Sequence, residues 1–66
     1  MQVTLNGESR DIRPGCTVAA LLADLGINPK TVVAQINDDI AERSAFEATL
    51  INEGDTVELI RFVGGG

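Results

Sequence analysis

The sequence predicts a two-layer α+β domain in which one helix covers one face of a mixed sheet of four to five strands. Three observations lead there: an alternating stretch that runs into Asn6-Gly7, an apolar stripe at Val18, Leu21, Leu22 and Leu25, and two β-rich runs at 31–36 and 56–63. Alternation with a period of two belongs to a strand, whereas the i, i+3, i+4, i+7 spacing belongs to a helix. The 66 residues make one domain, too small to enclose a roomy pocket, which argues against an enzyme with a deep active site. A content of 44% hydrophobic and 23% charged residues is that of a folded chain and not of a disordered tail.

Met1 to Leu5 alternates apolar and polar residues, and Asn6-Gly7 tolerates the positive φ of a type I′ turn, so a second strand over about 8–12 folds back on the first. Simple two-residue pairing sets Leu5 opposite Glu8 and Val3 opposite Arg10, which puts charges on the core face unless a bulge intervenes. Pro14-Gly15 then ends the strand, and Thr17 is placed to cap a helix of about two turns. Gly26 supplies a left-handed C-cap, and Pro29 keeps the helix from resuming. The β-branched run 31–36 is a third strand, and Asn37-Asp38-Asp39 turns it into a brief fourth at Ile40-Ala41. After an irregular stretch that holds Phe46 and Leu50, with Phe46 read as core, Glu53-Gly54-Asp55 turns into a last strand from Thr56 to Val63.

Charge and cysteine content narrow the function. A formal net charge of −5 repels phosphate backbones and anionic lipid, so neither nucleic acid nor membrane is expected as a partner, and a protein with a basic groove suits the chain better. No membrane span or export signal is evident, and the expected location is the cytoplasm. Cys16 is the only cysteine and there is no histidine, which removes an internal disulfide, a tetrahedral zinc site and any histidine-based triad. No metal or bound cofactor is expected, and Cys16 reads as a small residue in a connecting loop, not as a reactive thiol.

The chemistry is expected at the end of the chain. Residues 1–63 form the domain, and Gly64-Gly65-Gly66 form a flexible tail with no side chains, able to enter a channel that any larger residue would block. From Val63 onward such a tail spans about 13 Å at full extension. On the last strand Val57 and Leu59 share one face, while Glu58, Ile60 and Phe62 share the other. With Val57 and Leu59 packed on the helix, Ile60 and Phe62 lie on the uncovered face beside Val63 and the tail, forming a docking patch for a partner.

Val3 through Asn6-Gly7-Glu8, Thr17-Val18 with Leu21-Leu22 and Leu25, Val33-Ala34-Gln35-Ile36-Asn37, Glu53-Gly54-Asp55, Val57-Glu58-Leu59-Ile60 and the terminal glycines, taken in this order, resemble the ThiS family of sulfur carriers. The chain departs from many relatives at Ala41-Glu42-Arg43, where they have Val-Pro-Arg, and in lacking an aromatic residue soon after, a place Phe46 can fill. The resemblance implies a β-grasp, ubiquitin-like fold. It implies that the carboxylate of Gly66 is adenylated with ATP by an E1-like adenylyltransferase, ThiF. A cysteine desulfurase persulfide would then displace AMP and leave a thiocarboxylate, which the thiazole synthase ThiG would consume. The protein would thus be a co-substrate and not a catalyst. Related readings are the same chemistry in molybdopterin synthesis, as in MoaD, or in tRNA thiolation; a ubiquitin-like modifier joined to lysines; and a plain interaction domain.

Overall fold

Asn6 and Gly7 both adopt positive φ, 49° and 83°, which is the geometry of a type I′ turn and joins β1 (Gln2–Leu5) to β2 (Glu8–Asp11). The computed structural model describes residues 1–61; the expectations placed on Phe62, Val63, Gly64, Gly65 and Gly66 lie outside the described residues. The hairpin keeps the simple register, with Val3 opposite Arg10 and Leu5 opposite Glu8. No bulge is needed because β2 is an edge strand exposed along its whole length. Val3 and Leu5 are buried, while the charges opposite them overhang the core.

Helix α1 (Val18–Leu25) starts where Thr17 Oγ1 accepts the Ala20 N–H at 3.1 Å. It stops at Gly26, with φ 70°, where the Gly26 N–H bonds the Ala23 carbonyl and the Ile27 N–H bonds the Leu22 carbonyl. That pair of bonds is a Schellman motif, which satisfies carbonyls the helix leaves open. A short 3-10 turn over Pro29–Thr31 follows, so the third strand begins one residue later than the β-branched run suggests. β3 (Val32–Ile36) and β4 (Asp39–Ala41) meet through Asn37 and Asp38, both at positive φ. A second 3-10 turn, Arg43–Ala45, leads to Phe46, which is buried as expected. Further along, Ile51 turns inward and Leu50 stays exposed.

β5 (Thr56–Arg61) completes a five-stranded sheet in the order β2-β1-β5-β3-β4. It runs parallel to β1 and antiparallel to β3, so the last strand occupies the centre. Val18, Leu21 and Leu22 of the helix form one core with Val3, Leu5, Val32, Ala34, Val57 and Leu59 of the sheet. Cys16, Phe46 and Ile51 close its edges. Cys16 is therefore part of the core, and not only a filler of the connecting loop.

Candidate functional site

The period of β5 sorts its side chains as the sequence indicates. Val57 and Leu59 are buried against the helix layer, while Glu58 and Ile60 face outward, Ile60 with 51% of its surface exposed. The antiparallel register places Val33 directly opposite Ile60, and paired residues of adjacent strands share a face. Val33 is only half-buried there. Ile40, paired with Gln35 on the same open face, is 64% exposed. Ile60, Val33 and Ile40 thus form an apolar strip across the face that the helix leaves bare. Sequence reasoning found Ile60 and missed the other two, although the alternation of Val33 against Val32 and Ala34 carries that signal.

Two asparagines hold the strand that bears this strip. The Asn37 side chain accepts the Thr56 N–H at 2.9 Å and donates to Asp55 Oδ1 at 3.0 Å. The Asn6 side chain accepts the Leu59 N–H at 2.8 Å. Each asparagine sits in a tight turn at positive φ and uses its amide to bond the backbone of β5, so one residue serves both turn and strand. The expected tail residues Gly64, Gly65 and Gly66, with Phe62 and Val63, lie outside the described residues.

Cys16 offers no nucleophile to the site. It is 4% exposed, its Sγ lies 3.4 Å from the Thr17 carbonyl, and burial pushes its thiol above the ordinary value, with Arg13 opposing and Asp24 adding to the shift. Among the described residues no group of three or more His, Cys, Asp or Glu is placed to hold a metal ion. No helix among them is long and apolar enough to cross a membrane.

A mixed five-stranded sheet folded over one helix, with first and last strands parallel at its centre, defines a β-grasp, ubiquitin-like domain. The chain matches the ThiS family over residues 3–66, and it belongs to that family. The crystal structure of the thiamine biosynthesis protein ThiS from Geobacter metallireducens is similar over 100% of both chains, with a TM-score of 0.86 and 35% identity. A thiazole synthase of Paramagnetospirillum magneticum is 36% identical over all 66 residues, and one of Magnetococcus marinus is 35% identical. The chain spans 20% of the length of each of those synthases.

Proposed function

We propose that this chain is a sulfur carrier in thiamine biosynthesis that bears its sulfur as a thiocarboxylate on Gly66 and delivers it to a thiazole synthase. The observation that carries the reading is the family match, which runs through residue 66 and so takes in Gly64-Gly65-Gly66. The two thiazole synthases support the destination, since a stretch similar to this whole chain lies within each.

The chemistry requires activation, because a carboxylate is a poor electrophile. The Gly66 carboxylate attacks the α-phosphorus of ATP in an E1-like, ThiF-type enzyme and releases pyrophosphate. A persulfide from a cysteine desulfurase then attacks the acyl carbon and expels AMP, leaving an acyl disulfide. A thiol cleaves its S–S bond to free the thiocarboxylate. All catalysis in this scheme belongs to the partners. The chain contributes the acyl carbon, a glycine tail narrow enough for their channels, and the strip of Ile60 and Val33 as docking surface. This work is assigned to the cytoplasm.

Intact mass of the protein, isolated without reducing agent from cells making thiamine, tests the reading. Exchange of one oxygen for sulfur, localised to Gly66 by fragmentation, is the expected result. Branched conjugates to lysines, or an unmodified chain alone, would overturn it.

A further inference from the structure

The hairpin register turns two charged side chains toward the face of the sheet that the helix covers. Glu8 and Arg10 stand opposite Leu5 and Val3, and so share their face. They meet no core there, because α1 ends at Leu25 and leaves a groove of about 410 Å³ open beside β2. Leu5, Leu25, Ile27 and Leu59 supply its apolar lining, and Arg10 and Arg61 supply its cations. The chain has ten acidic and five basic residues, yet two of those five line this one groove. The ion pairs among the described residues are Met1 with Asp11 and Arg13 with Asp24, and neither involves Arg10 or Arg61. Charges on the core-side face of a hairpin break the local pattern, and such breaks concentrate at functional sites.

We propose that this groove docks a segment of a partner protein that combines carboxylates with apolar side chains. The carboxylates meet the guanidinium groups of Arg10 and Arg61, which suit planar anions, and the apolar groups settle on Leu25, Ile27 and Leu59. Charge complementarity selects this occupant: the net charge of −5 disfavours an acidic segment over most of the surface, whereas the arginines attract it here. Glu8, the one carboxylate lining the groove, repels the segment's acids from the turn end and so orients it. Leu59 and Arg61 lie at the C-terminal end of β5, next in sequence to residues 62–66, so the partner that receives the terminal glycines is the one to carry the segment. That last identification rests on the carrier reading; the groove's preference for an acidic segment does not.

The test is an NMR titration of the full chain with a short blocked peptide that alternates leucine and glutamate, against the same peptide with glutamine in place of glutamate. The expected result is saturable amide shifts grouped at 5–10, 25–27 and 59–61, stronger for the glutamate peptide and weakened by salt. Arg10→Gln and Arg61→Gln should each lower the affinity by about two- to fivefold, as exposed ion pairs do, with spectra that remain folded. Equal binding of the glutamine peptide, shifts centred on Ile60 and Val33, or no saturable shift would each overturn the proposal. A chain that carries sulfur yet ignores the peptide would sink the groove alone. Peptide binding without any sulfur loading would sink the carrier reading alone.

Discussion

Leu59 and Ile60 are adjacent in the chain and nearly equal in apolar bulk, yet one is 8% exposed and the other 51%. Truncating Leu59 to Ala removes core contacts and should cost about 2 to 5 kcal/mol of stability. Truncating Ile60 to Ala should leave the melting temperature nearly unchanged while weakening binding to the proposed activating enzyme by about 1 to 3 kcal/mol, the range of an interface anchor. Calorimetric binding beside a melting curve separates the two, and an Ile60→Ala chain that unfolds would mean the residue is structural. Cys16 makes a prediction of another kind. Burial raises its thiol above the ordinary value of 9.0, so the unfolded chain loses that proton first. Stability should therefore fall as pH climbs past 9.0 and level off above the folded-state value. Cys16→Ala should remove that part of the slope in urea melts, and Cys16→Ser should still accept sulfur, because the proposed acceptor carbon is on Gly66. A folded serine variant that fails to load would restore a role to the thiol.

Each element with a local signature was legible before the structure: Thr17 and Gly26 cap the helix, Asn6-Gly7 turns the hairpin, and the period of β5 gives its faces. The strand order was not, because nothing near Thr4 or Thr56 announces that β1 and β5 pair in parallel across more than fifty residues. Val33 and Ile40 escaped for the same reason, as a patch drawn from three strands exists only once register is fixed. The two asparagines show the limit most clearly. Asn6 is visible as a turn residue, but its bond to Leu59 spans 53 positions. Asn6→Gly keeps the turn's positive φ and loses that bond, which should cost about 1 to 3 kcal/mol for the N–H left unpaired. Asn6→Ala adds the left-handed backbone penalty of about 1 to 2 kcal/mol. Urea melts of both variants should rank wild type above Gly above Ala, and an Ala variant as stable as the Gly variant, or more so, would overturn the backbone penalty assigned to residue 6.

For the whole molecule, the proposed chemistry falls on Gly66, outside the described residues 1–61. Deleting Gly66 leaves a chain that still ends in two glycines, so channel sterics are preserved while the carboxylate retreats by roughly 3.5 Å. Acyl activation tolerates little misplacement, and pyrophosphate exchange by the proposed activating enzyme should slow by at least about a hundredfold, with docking and melting unchanged. Near-normal exchange would show slack in the tail. The parallel pairing of β1 and β5 bears on the same handover as a matter of mechanics. Thr4 to Asp55, Asn6 to Val57 and the Leu59 bond to the Asn6 side chain bridge the two strands side by side. A pull along β5 therefore loads them together in shear, whereas peeling a hairpin would break such bonds one at a time. In the proposed handover, an enzyme that tugged on the chain beyond Arg61 would work against the combined strength of that seam, and the sheet would serve as a handle that holds while the load is applied.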